Sequence, residues 1–296
     1  MIYQNILELI GNTPIVKLNK MYKYNSVYAK LEKQNPIGSV KDRTVYQILK
    51  SYIKEGKIKK GGTIIEATSG NTGIALASLS NYFGLNAIIV MPSTSSIQRR
   101  ELIKAYGGEL VLINGGMSEC ETKAKELQAK IPNSIILGQF NSIENINAHY
   151  ENTAPEIDKE LKNVDVIICG VGCGGTISGI GKYYKMNHPE IEIVGVEPKE
   201  SPLLTKGFSK PHCIQGIGAN FVPNILDLNV IDRIVTVSYK DAILNCKTLT
   251  MLEGYLVGVS SGAVLEACNY LLKEEGYKNK NILLIFPDTG ERYSWN

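Results

Sequence analysis

Short apolar runs alternate with amphipathic segments along almost the whole chain. Runs such as Ala87–Met91 and Val164–Cys169 are apolar at nearly every position, and each precedes a segment with helical spacing. Strands this apolar are typical of parallel sheets that helices cover on both faces. The pattern therefore predicts an α/β protein with mostly parallel, twisted sheets flanked by helices.

The alternation divides the chain into predicted elements. The predicted strands are Tyr28–Glu32, Thr63–Ala67, Ala87–Met91, Glu109–Ile113, Ile135–Phe140, Val164–Cys169, Glu192–Val196 and Asn281–Phe286. The predicted helices are Asp42–Glu55, Thr72–Tyr82, Ile97–Tyr106, Glu119–Lys130, Thr176–Lys185 and Ala263–Glu275. The least regular stretches are Asn141–Ala154 and Pro198–Asp227, and the first is the candidate domain boundary. A length of 296 residues fits two domains or one large α/β unit.

Composition and charge argue against several classes of binding partner. The net charge is +3 and no run of basic residues is longer than a pair, which argues against nucleic acid as a partner. No apolar run is long enough to span a bilayer, and no basic stretch followed by an apolar one marks a signal peptide. The six cysteines form no CxxC pair. Cys169 and Cys173 are four positions apart, but none of the three histidines lies near them in the sequence, so we expect no metal site. We expect a cytoplasmic protein with no membrane partner.

The segment 36–43 places a lysine in the first turn of a predicted helix. Lys41 follows the small-residue turn Gly38-Ser39 and precedes the apolar positions of the helix. Partial desolvation beside the positive end of a helix dipole disfavours the ammonium form and leaves a nucleophilic amine. Such an amine suits a Schiff base, although a solvated lysine at a helix start is the alternative.

Residues 68–73 form a strand-to-helix turn that is rich in polar side chains. Thr68, Ser69, Asn71 and Thr72 occupy four of five positions between the strand Thr63–Ala67 and the next helix. One hydroxyl would suffice as an ordinary helix cap. Unpaired backbone N–H groups at such a turn bind a carboxylate or a phosphate. We therefore interpret the turn as an anion site.

A glycine-rich loop covers residues 170–176, again between a buried strand and a helix. Its glycines let the backbone approach an anion closely, and the helix N-terminus adds a favourable field. The loop also satisfies GxGxxG, and Glu197 ends the next strand at the distance of a ribose-binding acid. A dinucleotide-binding oxidoreductase is therefore an alternative, but it leaves Lys41 and the polar turn at 68–73 unexplained.

A further turn precedes the last predicted helix. It contains Ser260 and Ser261, and we expect one of these serines to cap the helix from Ala263 while the other contacts a ligand. A reactive lysine, two anion sites and a neutral hydroxyl are together the parts that hold pyridoxal phosphate and an amino acid. This combination favours a pyridoxal-phosphate enzyme over an oxidoreductase.

The chain resembles the cysteine synthase (O-acetylserine sulfhydrylase) and cystathionine β-synthase family of fold-type II pyridoxal-phosphate enzymes. Seven motifs carry the resemblance in order along the chain. They are the segments 10–14 (Ile-Gly-Asn-Thr-Pro), 35–43, 68–73, 170–176, 215–219 (Gln-Gly-Ile-Gly-Ala), 260–262 and 287–293 (Pro-Asp-Thr-Gly-Glu-Arg-Tyr).

The resemblance implies a role for each candidate site residue. Lys41 would carry the Schiff base with the cofactor, Asn71 would bond the ring oxygen, and Ser260 would face the pyridine nitrogen. The cofactor phosphate would be held by Gly172, Cys173, Gly174, Gly175 and Thr176. The substrate carboxylate would be held by Thr68, Ser69, Thr72 and Gln139.

The resemblance also implies a domain division and an activity. Residues 1–12 and 35–145 would form a smaller domain that binds the substrate carboxylate. Residues 13–34 and 146–296 would form a larger domain that holds the phosphate, as in tryptophan synthase β-like folds. The activity would convert O-acetyl-L-serine and sulfide to L-cysteine and acetate through a bound aminoacrylate. A homodimer and a serine acetyltransferase partner are also implied.

Several positions depart from the family pattern. Cys173 stands where threonine is usual, Asn220 replaces a glycine, Ser95 replaces a methionine, and residues 141–147 lack two usual prolines. These loops lie near the substrate, so the departures bear on substrate identity and not on the cofactor. An enzyme that uses L-cysteine, releases hydrogen sulfide and forms serine, lanthionine or cystathionine is the nearest alternative. A catalytically idle partner of serine acetyltransferase is disfavoured by the intact Lys41 and Ser260.

Overall fold

In the computed structural model, which describes residues 2–295, the strands form two separate sheets. The strands are β1 (Ile15–Lys17), β2 (Ser26–Leu31), β3 (Thr63–Ala67), β4 (Asn86–Pro92), β5 (Glu109–Ile113), β6 (Ser134–Ile136), β7 (Val166–Gly170), β8 (Glu192–Pro198), β9 (Arg233–Val237) and β10 (Asn281–Phe286). One sheet has the order β5-β4-β3-β6, and the other has the order β1-β2-β10-β7-β8-β9. Every pairing is parallel except that of β1 with β2. The predicted mostly parallel α/β architecture is confirmed.

Helices connect the strands and cover both sheets. They are α1 (Lys41–Lys54), α2 (Asn71–Tyr82), α3 (Ile97–Ala105), α4 (Met117–Lys130), α5 (Ile143–Ala148), α6 (Ala154–Glu160), α7 (Gly175–Asn187), α8 (Leu203–Lys206), α9 (Tyr239–Glu253) and α10 (Val259–Leu271). A π-helical turn, His149–Thr153, joins α5 to α6. None of the helices in the described part of the chain is long and apolar enough to cross a membrane.

Each sheet buries side chains on both faces. In β3, Ile64 belongs to a core shared with α1 and α2, whereas Ile65 belongs to a core shared with α4. In β10, Leu284 packs in the core beside α10, whereas Leu283 packs in the core beside α7. Successive strand residues point to opposite faces, so strands covered on both sides are apolar at most positions. This is the physical origin of the continuous apolar runs in the sequence.

Some elements differ from the sequence-based expectation. Strands β1 and β9 were not predicted, because each lies at a sheet edge and has several residues that are only partly buried. Helix α9 was also missed. The stretch Asn141–Ala154 is not irregular as expected, because it contains α5 and the π-helical turn. Residues 137–140, predicted to continue β6, lie outside that strand, which ends at Ile136.

Parallel strands end at the same edge of a sheet and therefore bring their following loops together. Strand β3 leads into the polar turn at 68–70, and β7 leads into the glycine loop that ends at 174. Strand β10 leads into the segment Pro287–Tyr293. Ligand sites of open α/β sheets lie beyond these carboxyl ends, and the loops of both sheets line a single cavity.

Candidate active site

A cavity of about 630 Å³ collects the residues singled out in the sequence. Its lining includes Lys41, Thr68, Ser69, Asn71, Thr72, Gln139, Gly172, Cys173, Gly174, Thr176 and Ser260. Among the candidate residues only Gly175 does not line the cavity. Residues that are up to 219 positions apart along the chain (41 and 260) therefore share one site.

Lys41 is the first residue of α1, and its amine faces the glycine loop. Its Nζ donates a hydrogen bond to Cys173 Sγ at 3.0 Å. Burial alone would raise the pKa of the Cys173 thiol, but the Lys41 ammonium, with hydrogen bonds from Gly175 and Asn145, holds that pKa below its ordinary value. The Lys41 amine and the Cys173 thiol therefore interact electrostatically at the wall of the cavity.

A buried ion network fixes the helix that carries Lys41. Arg43 Nε donates to Glu32 Oε2 at 2.7 Å, and Arg43 Nη1 donates to Glu156 Oε1 at 2.6 Å. Burial would raise the pKa of Glu32, but Arg43 outweighs it and lowers the pKa to about 2. Sequence reasoning missed this network, because Glu32 directly follows β2, Arg43 lies in α1 and Glu156 lies in α6, far apart in the sequence.

The glycine loop is packed too tightly for larger residues. A Cβ atom on Gly172 would lie 2.3 Å from the carbonyl oxygen of Gly216, and one on Gly175 would lie 2.1 Å from Asn145 Oδ1. Gly174 has φ +88°, a left-handed conformation that only glycine adopts readily, and it caps the N-terminus of α7. The free N–H groups of α7 therefore face the cavity.

The last residue of the glycine motif has a defined partner. Thr176 Oγ1 lies 3.2 Å from His149 Nε2. Burial lowers the pKa of His149 to about 3, so this imidazole is neutral at ordinary pH. The neutral ring keeps Thr176 in place without adding a positive charge.

The polar turn opens α2 one residue earlier than expected, with Gly70 as the N-cap and Asn71 as the first helical residue. The backbone N–H of Gly70 donates to Thr68 Oγ1 at 3.2 Å. Thr72 Oγ1 donates to Gln139 Oε1 at 2.7 Å. This bond joins the two segments expected to hold a substrate carboxylate.

The amide of Asn71 is held by the C-terminal motif. Its Nδ2 donates to Asp288 Oδ2 at 2.7 Å, and its Oδ1 accepts from Arg292 Nη1 at 2.7 Å. An acidic acceptor on one side and a cationic donor on the other fix the amide orientation. The second N–H of the Asn71 amide is therefore oriented and free to donate to a ligand. The sequence contained Asp288 and Arg292 in a family motif, but it gave no sign that they contact Asn71.

Ser260 lies inside α10 and not at its cap. The helix begins at Val259 with Gly258 as its N-cap, so the expectation that Ser260 or Ser261 caps a helix from Ala263 is wrong. The N-cap position has no room for a side chain, because a Cβ atom on Gly258 would lie 2.0 Å from Asp288 Oδ1. Ser260 is 2% exposed and lines the cavity. Its hydroxyl remains available to a ligand.

Glu66, in the middle of β3, supports the segment that carries Gln139. The backbone N–H groups of Gly138 and Gln139 donate to its carboxylate at 2.9 and 3.4 Å. Burial raises the pKa of Glu66 to about 7, although these N–H groups oppose the shift. This contact could not be predicted from the sequence, because Glu66 has no partner among its neighbours along the chain.

The titration of Glu66 predicts a pH dependence of stability. The unfolded carboxyl has a pKa of about 4.3, so between about pH 4 and pH 7 the folded state binds a proton that the unfolded state releases. Stability should therefore fall as pH rises through this window, and Glu66→Gln should flatten the fall. Urea unfolding at pH 5, 6 and 7 measures both slopes. Burial also raises the pKa of Asp42 to about 7, and this group adds the same pH dependence to the wild-type protein and to Glu66→Gln. Identical slopes for the two proteins would therefore contradict the prediction.

Glu197 does not face the cavity as a ribose-binding acid would. Its carboxylate accepts hydrogen bonds from the backbone N–H of Leu204 at 2.8 Å and of Thr205 at 3.0 Å. It therefore holds the start of α8. The interpretation of the glycine loop as a dinucleotide-binding motif is wrong, because its acidic partner is already occupied.

Two further residues line the cavity near its polar turn. Asn220, a position that departs from the family pattern, is exposed, lines the cavity and does not adopt a left-handed conformation. Arg99, at the start of α3, is buried and also lines the cavity. Sequence reasoning missed Arg99, because a basic residue in an amphipathic helix normally faces solvent.

Comparison with known proteins identifies the family to which the chain belongs. Residues 6–288 match the family described as pyridoxal-phosphate dependent enzyme. Cysteine synthase B of Campylobacter jejuni is 46% identical, over 99% of this chain and 97% of its own length. A cysteine synthase of Staphylococcus aureus is 44% identical, over 98% of this chain and 94% of its own length.

Solved structures show the same fold. A hydrogen sulfide-producing enzyme from Fusobacterium nucleatum has a TM-score of 0.96 and 42% identity, with 99% of this chain and 100% of that chain covered. Cysteine synthase from Entamoeba histolytica has a TM-score of 0.95 and 38% identity, with 99% of this chain and 89% of that chain covered. The chain therefore belongs to the pyridoxal-phosphate dependent enzyme family and, within it, to the fold-type II enzymes of the cysteine synthase group.

Proposed function

We propose that the protein catalyses β-replacement on a β-substituted L-amino acid, converting O-acetyl-L-serine and sulfide to L-cysteine and acetate. The observation that carries this proposal is the cavity in which Lys41, the glycine loop and the polar turn meet. The names of the relatives support it, since cysteine synthases match over nearly the whole chain.

The cavity fits pyridoxal phosphate. The close packing of Gly172 and Gly175 leaves backbone donors at the N-terminus of α7, which suit a phosphate. In the proposed arrangement, residues 172–176 (Gly172, Cys173, Gly174, Gly175 and Thr176) hold the phosphate and Lys41 binds the cofactor covalently. When bound, the cofactor supplies an electron sink for negative charge at the substrate Cα.

Ser260 would set the character of the bound ring. A neutral hydroxyl beside the ring nitrogen does not force that nitrogen to carry a proton, as a carboxylate would. The electron sink is then milder, which favours expulsion of a β-substituent over transamination. The 2% exposure of Ser260 keeps water from replacing this contact.

The polar turn and Gln139 would orient the substrate. Thr68, Ser69 and Thr72 present hydroxyls and backbone N–H groups at the start of α2, and the Gln139 amide completes the carboxylate site. With the carboxylate held there, the Lys41 amine removes the Cα proton, and the leaving group departs from Cβ. Sulfide then adds at Cβ.

The orientation of Asn71 yields a test of cofactor binding. Asn71→Asp replaces the amide nitrogen, with its free N–H, by an oxygen. It also places a second carboxylate next to that of Asp288. Losing a hydrogen bond to a charged group costs about 1.5–3 kcal/mol, so we expect the affinity for pyridoxal phosphate to fall about tenfold or more. Absorbance titration of the cofactor-free protein measures the affinity. Asn81→Asp, near the exposed end of the same helix, is the control, and equal affinities in all three proteins would contradict the assignment.

The second candidate function uses L-cysteine as the donor and releases hydrogen sulfide, with formation of serine, lanthionine or cystathionine. The similarity to a hydrogen sulfide-producing enzyme favours it, as does the polar Asn220 in the cavity wall. A substrate panel separates the two candidates. Net uptake of sulfide with O-acetyl-L-serine supports the first, whereas release of sulfide from L-cysteine at a higher kcat/KM would replace it by the second.

The family resemblance also supports proposals about organisation. We place substrate carboxylate binding in the domain of residues 1–12 and 35–145, and phosphate binding in the domain of residues 13–34 and 146–296. We also propose a homodimer and an association with serine acetyltransferase. Light scattering tests the dimer against the monomer mass of 32.5 kDa, and failure to co-elute with purified serine acetyltransferase would count against the complex.

A further inference from the structure

Arg99 is a buried cation at the wall of the cavity. It is 3% exposed, and its Nη1 donates to the carbonyl oxygen of Ser69 at 3.3 Å and to Gln215 Oε1. The guanidinium lies over the ring of Tyr293, 5.0 Å from its centroid. Its Nε has no hydrogen-bond partner in the described part of the chain. All of its direct partners are neutral.

No carboxylate forms a direct ion pair with this charge in the described part of the chain. Among residues 2–295, none lies within ion-pair distance of Arg99. Asp288 is the acid whose titration Arg99 influences, but Asp288 already accepts from Asn71 and Tyr293, and burial raises its pKa. An unpaired buried charge costs several kcal/mol. A ligand anion at the Arg99 guanidinium would offset this cost.

The charge is available to a second carboxylate. The proposed site for the donor carboxylate consists of the helix start at Asn71 and the Gln139 amide, and it does not use a guanidinium. Arg99 lies beside that site, toward Gln215, in the cavity wall that also contains Asn220. A guanidinium is suited to bidentate binding of a carboxylate. The cavity thus contains two anion sites besides the phosphate loop.

We propose that Arg99 binds the carboxylate of a thiol amino acid that serves as acceptor in the β-replacement. This inference rests on the proposed function and extends its acceptor from sulfide to a thiol amino acid. With O-acetyl-L-serine as donor, the bond from Cβ to the acetyl oxygen breaks and acetate leaves with the electron pair. A bond from Cβ to the acceptor sulfur forms, and the thiol proton is released. The product is a thioether with an amino-acid group at each end.

A matched pair of acceptors tests the proposal in the holoenzyme. L-homocysteine and 3-aminopropane-1-thiol carry the same thiol and amine, but only the first has a carboxylate. With O-acetyl-L-serine as donor, mass spectrometry of the thioether product gives kcat/KM for each acceptor. We expect at least a tenfold preference for L-homocysteine in the wild-type enzyme. Equal values for the two acceptors would overturn the proposal without the need for any variant.

Variants then assign the preference to Arg99. Arg99→Gln should reduce the preference to near unity, and Arg99→Lys, which keeps the charge, should retain part of it. Lys104→Gln, at the exposed end of the same helix, is the control and should keep the full preference. A preference that survives in Arg99→Gln overturns the assignment. So does a rise in donor KM that is equal for all acceptors, because Arg99 would then only support the carbonyl of Ser69.

Turnover with sulfide as the acceptor distinguishes a failure of this proposal from a failure of the proposed function. If the wild-type holoenzyme turns over neither sulfide nor thiols, the proposed β-replacement itself is wrong. If it turns over sulfide but shows no preference for the acceptor with a carboxylate, only the role of Arg99 is wrong. Thermal unfolding of each variant identifies a folding defect. If Arg99→Gln does not fold, the acceptor preferences of Arg99→Lys and of the wild-type enzyme still decide the outcome.

Discussion

Replacement of Lys41 by alanine is expected to abolish turnover, with a loss of at least about three orders of magnitude in kcat. The amine is the one group proposed both to bind the cofactor covalently and to move the Cα proton, so the variant loses two steps at once. Its position at the start of α1, 3.0 Å from Cys173 in the glycine loop, supports both roles. The visible absorbance of the lysine-bound cofactor should also disappear.

Two measurements check this expectation. Borohydride reduction of the holoenzyme followed by peptide mapping should place the cofactor on Lys41. Lys54→Ala, at the exposed end of the same helix, should keep both the absorbance and the activity. Cofactor attached to any other lysine would show that the assignment is wrong.

Replacement of Gly175 by alanine is expected to cause the second largest effect. The new Cβ atom would lie 2.1 Å from Asn145 Oδ1. Asn145 cannot give way easily, because Thr44 donates to its Oδ1 at 2.9 Å and its Nδ2 donates to the carbonyl oxygen of Gln139 at 2.8 Å. Overpacking of this kind costs about 1–3 kcal/mol, and the N-terminus of α7 must shift. We expect both stability and cofactor affinity to fall, the affinity about tenfold or more.

Thermal unfolding of the cofactor-free protein and titration with pyridoxal phosphate measure the two effects separately. Gly276→Ala is the matched control, because a Cβ atom there meets nothing within 4 Å and its backbone is not in the left-handed region. A Gly175→Ala protein with wild-type affinity for the cofactor would contradict the proposal that this loop holds the phosphate.

The sequence by itself determined the class of fold and the loops that carry the chemistry. Strands covered on both faces need apolar residues at most positions, so β4 and β7 were evident without any partner strand. The polar turn and the glycine loop were also evident, because a helix start that binds an anion needs small or hydroxyl-bearing residues at consecutive positions. These are local requirements, and local sequence records them.

Only the tertiary structure decided which residues support those loops. The partners of Asn71 are Asp288 and Arg292, which lie 217 and 221 positions away along the chain. Glu197 was expected to mark a ribose site, yet its carboxylate holds the start of α8.

Arg99 gained its significance only from the tertiary structure as well. In the sequence it is an ordinary basic residue of an amphipathic helix, but the fold buries it without a carboxylate partner. The physical reason is the same for Asn71 and Glu197: hydrogen bonds and charge compensation depend on distance in space, and the sheet topology that sets this distance has no local signature.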